Sequence, residues 1–312
     1  MSQTIVILGV FVADTAYRAE RQPKMGETIL GRSFALGPGG KGSNQSVAAA
    51  MAGGDVHFIT RLGCDPFADM ARATWARAGV TPEVTEDAES YTGAAYIFIE
   101  DATGNNAIII SPGAAGRISV SDVEARAELI GNAAVFVTQL EQPMAAAHRA
   151  LEIARAGGAK TILNPAPAAA IAPEMLALCD YVTPNESEAE GITGLPVTSI
   201  AEAKAAAGKL LSQGVGAAII TLGENGALYH DGQQTVHVPV FSAGPVVETT
   251  GAGDAFNGGF AAALARGADP IAAVRFGCAT AAISVTRPGT APSMPTLAEV
   301  EALLARAPAA LS

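Results

Sequence analysis

The sequence predicts an α/β fold in which a parallel sheet is covered by helices on both faces and a small second sheet lies over its carboxyl edge. Three observations carry this. The run Thr4-Ile5-Val6-Ile7-Leu8-Gly9 is continuously apolar, as in strands buried on both faces. Beyond it, helical patterns alternate with short apolar runs, the signature of a parallel sheet built by crossover helices. Two segments, Glu27 to Leu36 and Tyr91 to Ile110, break that alternation because they are strand-rich with no helix between their strands.

In chain order, the apolar run Ile5 to Ala13 reads as a buried first strand. It has no basic leader and meets Asp14, unlike a secretory signal. Ser43 to Ala52 reads as a helix, Val56 to Thr60 as a strand and Pro66 to Ala78 as a helix. Ala133 to Val137 is then a strand, Met144 to Ala156 a helix and Lys160 to Leu163 a strand. Ala201 to Gln213 is a helix and Ala217 to Leu222 a strand. Within the second irregular segment, Ala94 to Ile99 and Asn106 to Ile110 flank Asp101-Ala102-Thr103-Gly104-Asn105, a turn composition that joins a hairpin. These antiparallel pieces read as a lid formed by approximately 11–36 and 91–113, within one domain spanning 1–312.

Composition narrows the function classes. Of 312 residues, 49% are hydrophobic and 16% charged, which fills a sizeable core and argues against disorder. The net charge of −11 argues against nucleic acid or an anionic membrane as partner, since phosphate backbones need a basic face. No stretch of about 18 apolar residues runs without charge or punctuation, so no membrane span is expected. Cys64, Cys179 and Cys278 stand far apart, without the spacing of a zinc site or a disulfide framework, and a reducing cytoplasm is the expected compartment.

Four loops carry candidate chemistry. Phe34 to Asn44 reads Phe-Ala-Leu-Gly-Pro-Gly-Gly-Lys-Gly-Ser-Asn. Its glycines let the backbone approach a ligand, and the helix that follows offers free N–H groups. It is not a P-loop, because Gly42 follows Lys41 where that loop needs Ser or Thr for magnesium. An ordinary turn before a helix has the same composition, and both readings stand here.

Glu248 to Gly259 reads Glu-Thr-Thr-Gly-Ala-Gly-Asp-Ala-Phe-Asn-Gly-Gly and runs into a helical stretch. The dinucleotide fingerprint fails at Phe256, where a small residue is required. Phosphoryl transfer suits the layout better. Amides of Gly251, Ala252 and Gly253 at a helix start can hold the charge of a transferring phosphoryl group, and Asp254 can take the proton of an attacking hydroxyl. The alternative is Asp254 as a helix N-cap. The third loop, Thr183 to Glu190, is an acid-rich helix start or a water-mediated magnesium site. The fourth, Ile220 to Gly226, ends a strand where parallel sheets bind ligands, or is a connecting turn.

Taken together, these loops resemble the PfkB-type carbohydrate kinases, the ribokinase family, over nearly the whole chain. The resemblance runs through Gly9 to Asp14, Gly26-Glu27-Thr28, Gly39 to Gln45 and Gln139-Leu140-Glu141. It continues through Asn164-Pro165-Ala166-Pro167-Ala168, Thr183 to Glu190 and Thr221-Leu222-Gly223, and closes with Gly251 to Gly258 and Val285-Thr286-Arg287-Pro288-Gly289. It implies a Rossmann-like three-layer αβα sandwich with a small β-lid and a homodimer formed through that lid. It also implies transfer of the ATP γ-phosphoryl group to a primary hydroxyl of a pentose. Ribose is the first candidate, with 2-deoxyribose, a nucleoside or another sugar as alternatives.

The same resemblance assigns roles by position. Asp254 matches the base, and Gly251, Ala252 and Gly253 the anion hole. Val12, Asp14, Gly40, Lys41, Gly42, Asn44 and Glu141 match the sugar site. Asn185, Thr221, Leu222, Gly223, Glu224, Asn225, Gly226, Gly253 and Cys278 match the ATP site, and Glu188 the water-mediated Mg²⁺ contact. Glu248, Thr250, Ser284, Arg287, Gly289 and Ser293 match a K⁺ site beside the anion hole.

Two positions depart from the family pattern. Many members carry Asn where this chain has Val12, and a hydroxyl pressed against valine loses a partner, at roughly 1–3 kcal/mol. Glu248 replaces the usual Asp and is one methylene longer, which leads us to expect weaker potassium activation. Two other function classes remain as rivals, an NAD-dependent dehydrogenase and a non-catalytic sugar-binding regulator. The missing first-strand Gly-rich fingerprint speaks against the former, and the intact base and anion-hole positions against the latter.

Overall fold

The computed structural model describes residues 3–306. β1 (Thr4–Leu8) ends at Gly9, and β2 (Val12–Ala19) and β3 (Ser33–Gly39) follow before α1 (Lys41–Met51). Next come β4 (Asp55–Leu62), α2 (Pro66–Ala78), β5 (Thr81–Glu86), β6 (Thr92–Glu100) and β7 (Asn106–Gly113). The middle of the chain holds α3 (Val120–Glu124), α4 (Ala127–Gly131), β8 (Val135–Thr138), α5 (Met144–Gly157) and β9 (Lys160–Leu163). It continues with α6 (Pro173–Leu176), β10 (Tyr181–Val182), α7 (Glu186–Thr193), α8 (Ile200–Leu211) and β11 (Ala217–Thr221). β12 (Ala227–His230), β13 (Thr235–Val238), α9 (Ala252–Ala265), α10 (Pro270–Ser284) and α11 (Leu297–Arg306) complete it.

The large sheet has the order β13-β12-β11-β10-β9-β8-β1-β4-β5. Its pairings are parallel from β11 to β5 and antiparallel at β11–β12–β13. Because successive side chains point to opposite faces, β1 feeds two cores. Ile5 and Ile7 pack with α1, α2, α9, α10 and α11, while Val6 and Leu8 pack with residues of α3 to α8. This is the expected three-layer arrangement.

A second sheet has the order β3-β2-β6-β7, with antiparallel outer pairs. Its central pair, β2–β6, is parallel, whereas the sequence reading expected antiparallel pieces throughout. Two hairpin-like units laid side by side give this mixture.

Two further expectations change. The run Ile5 to Ala13 is not one strand but parts of two, in different sheets. The crossing falls at Gly9, where a Cβ would lie 2.3 Å from Gln139 Oε1 and 2.7 Å from Gly42 Cα, so no side chain fits. In Glu27 to Leu36 only the end is strand, and the regular segment is Ser33–Gly39. Residues 20–32 are mostly exposed, Met25 and Leu30 almost wholly so, and local pairs such as Arg21–Glu27 replace a ladder.

Candidate active site

The site forms where α1 and α9 begin, beside the ends of β9, β10 and β11. α9 starts after Gly251, whose φ of 82° is left-handed. A Cβ there would also press on Thr290 at 3.3 Å, so glycine is required on both counts. Thr290 in turn donates to the Pro38 carbonyl at 2.9 Å, tying this turn to the end of β3. Asp254 lies in the first turn of α9. It is not the cap, which is Gly251, so the N-cap alternative falls away.

α1 begins at Lys41, two residues earlier than its sequence signal, directly after Gly40. Gly40 has φ 87° and a virtual Cβ only 2.5 Å from the Val10 carbonyl. This close crossing aims the first turn of α1 at α9. Asn44 Nδ2 donates to Asp254 Oδ2 and Gln45 Nε2 to Asp254 Oδ1, each at 3.0 Å. The backbone N–H of Lys41 donates to Glu141 Oε2 at 2.8 Å.

A cavity of about 150 Å³ opens on these groups. Of the residues singled out in the sequence, Lys41, Asn185, Glu188, Thr221, Gly251, Gly253 and Asp254 line it. Asn185 and Thr221 meet through a parallel bridge that extends the β10–β11 pairing. Asn164, Ala166, Thr183 and Asn257 line it as well, and sequence reasoning gave them no role. Asn164, Ala166 and Thr183 lay inside segments that carried the resemblance, which was the available signal. Asn257 sits one helical turn after Asp254 on the same face of α9.

The electrostatics are those of several carboxyl groups around one ammonium, that of Lys41. Burial pushes the Asp14 carboxyl up to about 6, with Asp254 adding to the rise. Burial likewise raises Glu141 to about 7 against the opposing pull of Lys41. Asp254 and Glu188 are also raised, by burial first. Lys41 and the amides of Asn44 and Gln45 counter that rise at Asp254. Burial would lower the Lys41 ammonium, but Asp254, Glu141 and Glu188 outweigh it and the group is raised. A cluster with titrations pulled toward neutrality is characteristic of functional sites.

Other predicted residues lie elsewhere or act differently. The Ala252 N–H turns back to the Thr249 carbonyl at 3.1 Å, and Ala252 does not line the cavity, so the turn presents Gly251 and Gly253 instead. Gly39 leaves room for the Asp14 carboxylate, since a Cβ would sit 2.3 Å from Oδ2. Val12 is buried on the same face of β2 as Asp14. Gly42 packs against Gly9. Glu188 and Asn185 form a capping box at the start of α7, so the helix-cap reading is realised while Glu188 still reaches the cavity.

Leu222 is buried, whereas Gly223, Glu224 and Asn225 form an exposed turn leading to Gly226. Cys278 is buried, with its thiol pushed up to about 12 by burial, which makes it a packing residue. In the expected cation cluster, the Glu248 carboxylate accepts the Gly289 N–H at 2.8 Å. Ser284 and Ser293 turn their hydroxyls to the carbonyls of Ala281 and Thr290, and Thr250 is exposed. Arg287 is ion-paired with Glu299. It lines a separate groove of about 660 Å³ with Phe241, Arg275 and Glu299, which shares no lining residue with the cavity around Asp254.

Residues 2–297 match the family described as pfkB family carbohydrate kinase. The ribokinase of Haemophilus influenzae is 36% identical over 300 residues, covering 96% of this chain and 97% of the relative. The deoxyribokinase of Salmonella typhi is 37% identical over 295 residues, covering 94% and 96%. Among solved structures, Arabidopsis thaliana ribokinase complexed with ribose and ATP has a TM-score of 0.91 at 30% identity, covering 97% and 99% of the two chains. The ribokinase of Thermotoga maritima has a TM-score of 0.87 at 35% identity, covering 97% and 99%.

Proposed function

The chain belongs to the pfkB family of carbohydrate kinases, and from that premise we propose that it transfers the γ-phosphoryl group of ATP to the primary hydroxyl of a pentose. Ribose is the first candidate and 2-deoxyribose the second. The observation that carries this reading is the position of Asp254. It is a buried carboxylate at the start of α9, bonded on both oxygens by α1 and open to a cavity shared with Lys41, Gly251 and Gly253.

In this reading Asp254 removes the proton of the attacking hydroxyl, which becomes a nucleophile only as it loses that proton. The start of α9 presents N–H groups and the positive end of its dipole to the transferring phosphoryl group. The Lys41 ammonium, which lines the same cavity, adds positive charge. Asp14 and Glu141, with Asn44, hold sugar hydroxyls on the side of α1 and the small sheet. Asn185 and Thr221 to Gly226 face the nucleotide. Coupled ATP-consumption assays over pentoses, deoxy-sugars, hexoses and nucleosides test this; turnover confined to a non-sugar acceptor would overturn it.

Mg²⁺ suits Glu188, because that ion keeps several waters and takes few protein carboxylates. Bound with ATP, it supplies neutralisation of phosphate charge. Among the described residues no cluster of three or more His, Cys, Asp or Glu is placed to hold a metal by itself, so the remaining ligands would be phosphate oxygens and water. For K⁺, the Glu248 carboxylate is partly engaged by Gly289, which favours weak activation. Turnover in potassium is expected to exceed that in a large organic cation only about fivefold, the low end of ordinary coupling between two sites. Equal rates, or a rise above about a hundredfold, would defeat that reading.

The choice between the sugars turns on Val12. Its side chain packs near Gly93, where a Cβ would lie 3.0 Å from Val12 Cγ1, and it offers no hydrogen bond. We expect kcat/KM for ribose and 2-deoxyribose to agree within about tenfold, since a missing hydroxyl partner is worth roughly 1–3 kcal/mol. A ribose preference of about a hundredfold or more would refute this.

The small sheet would act as the lid, its Asp14 face toward the cavity. Its other face carries Tyr17, Phe34, Leu36 and Ile109, all exposed, an apolar surface of the kind covered in oligomers and suited to a homodimer through the lid. No helix among the described residues is long and apolar enough to cross a membrane, and the free cysteines suit a cytoplasmic setting.

A further inference from the structure

A circuit of hydrogen bonds runs behind the cavity and passes through Asp254. Gln45, wholly buried on α1, presents Nε2 to Asp254 Oδ1 and to Asn164 Oδ1, each at 3.0 Å. Asn164 Nδ2 donates to the Thr183 carbonyl at 3.0 Å. Thr183 Oγ1 donates to Asn257 Oδ1 at 2.6 Å, and Asn257 Nδ2 donates to the Gly253 carbonyl at 2.8 Å. Gly253 precedes Asp254 in the chain, so the circuit closes on the peptide that carries the base. Behind Gln45, Gln139 Nε2 donates to Gln45 Oε1 at 2.7 Å.

Hydrogen-bond chemistry leaves this circuit one direction. A carboxylate and a backbone carbonyl can only accept. Gln45 must therefore turn its nitrogen to Asp254, which leaves Oε1 to accept from Gln139. The same rule fixes Asn257, whose nitrogen faces the Gly253 carbonyl, and so leaves its oxygen for the Thr183 hydroxyl. Every amide orientation follows from the obligate acceptors.

We propose that Gln45 is a positioning residue for phosphoryl transfer, fixing the orientation of the Asp254 carboxylate and locking it to the start of α9 through Asn164, Thr183 and Asn257. The proposal rests on the reading of Asp254 as the base. The α1 side of the cavity and the anion-binding turn of α9 are thereby held as one rigid unit. Asparagine at position 45 is one methylene short of spanning both acceptors. A glutamate would set a second buried carboxylate against the first. An apolar residue would strand Asp254 Oδ1, Asn164 Oδ1 and the Gln139 amide without their partners, which is costly in a buried setting.

Gln45→Met keeps the length of the side chain and removes its donors. The charged groups facing Asp254 stay in place, namely Lys41 on α1, Asp14 on β2, Glu141 after β8 and Glu188 on α7. Losing a donor to the charged form raises the carboxyl pKa, so the acid limb of the kcat–pH profile moves to higher pH. We expect kcat to fall about 30-fold, the KM for sugar and for ATP to stay within about threefold, and the limb to rise by about one pH unit. A variant that loses thermal stability and activity but keeps its acid limb within about 0.2 unit would reduce Gln45 to a packing residue and overturn the proposal.

If Gln45→Met does not fold, Gln139→Leu decides the matter. A limb raised by about 0.3 unit or more supports the positioning role, and an unmoved limb refutes it. Asp254→Asn, assayed in parallel, separates the two ideas. If that variant keeps its turnover, the base assignment has failed; if it is inactive while the Gln45 limb is unmoved, only the positioning role has failed.

Discussion

Asp254→Asn is expected to lower kcat by about 10³- to 10⁴-fold while sugar and ATP bind within about threefold of normal, the pattern of a group that acts in the transition state. Asparagine keeps the size of the side chain and loses the proton-accepting charge. Its amide nitrogen must also face one of the donors of Asn44 or Gln45, because both native oxygens accept. That donor–donor contact costs roughly 1–2 kcal/mol of stability, so thermal melting should be recorded beside kinetics. A folded variant that turns over within about tenfold of the parent would remove Asp254 as the base. Isothermal calorimetry with the sugar checks that the ground-state complex persists.

Lys41→Met is expected to lower kcat/KM for ATP by about 10²- to 10³-fold, in the range seen when one donor to a charged transition state is removed. The backbone bond from Lys41 to Glu141 survives this change, so the Gly-rich turn keeps its anchor. Only the ammonium is lost, and with it the cation that, among the described residues, lowers the pKa values of Asp254, Glu141 and Glu188 together. The sign follows directly. Without Lys41 the Asp254 carboxyl rises further, the base is protonated over a wider range, and activity is lost at higher pH as the solution is acidified. The kcat–pH profile of the variant should therefore show its acid limb displaced upward. A limb displaced downward, or an effect on kcat/KM smaller than about tenfold, would mean that the ammonium does not face the reacting groups.

Gln45→Met ranks below these two because it acts on the Asp254 carboxylate indirectly. The three variants act on one carboxylate, by removing its charge, its neighbouring cation and its orienting donor. Double variants are expected to be non-additive, since residues in one hydrogen-bonded and charged network share their effects.

Legibility of the molecule in its sequence varied with the range of the interaction. The helix over Pro66–Ala78 and the strand over Lys160–Leu163 were read to the residue, because periodicity and proline placement are local. Neutral amides left no such trace. Gln45 lies 209 residues from Asp254 and 119 from Asn164, and a buried glutamine has no period, charge or spacing that announces its partner. The Ala252 N–H, expected from the sequence in the anion-binding turn, donates instead to the Thr249 carbonyl.

By itself, then, the sequence determined the layered α/β architecture and the glycines that let α1 and α9 approach. Through its ordered motifs it also pointed to Asp254 and Lys41 as the groups with chemistry. Hydrophobic periodicity and backbone permissiveness act over a few residues and can be read along a chain. Tertiary structure alone decided where the apolar first run breaks between two sheets and which amides present themselves to the cavity. It also decided how Gln45, Asn164, Thr183 and Asn257 are hydrogen-bonded in one circuit through Asp254 and Gly253. Those outcomes depend on which distant groups are brought within about 3 Å, and hydrogen-bond directionality acts only at that range.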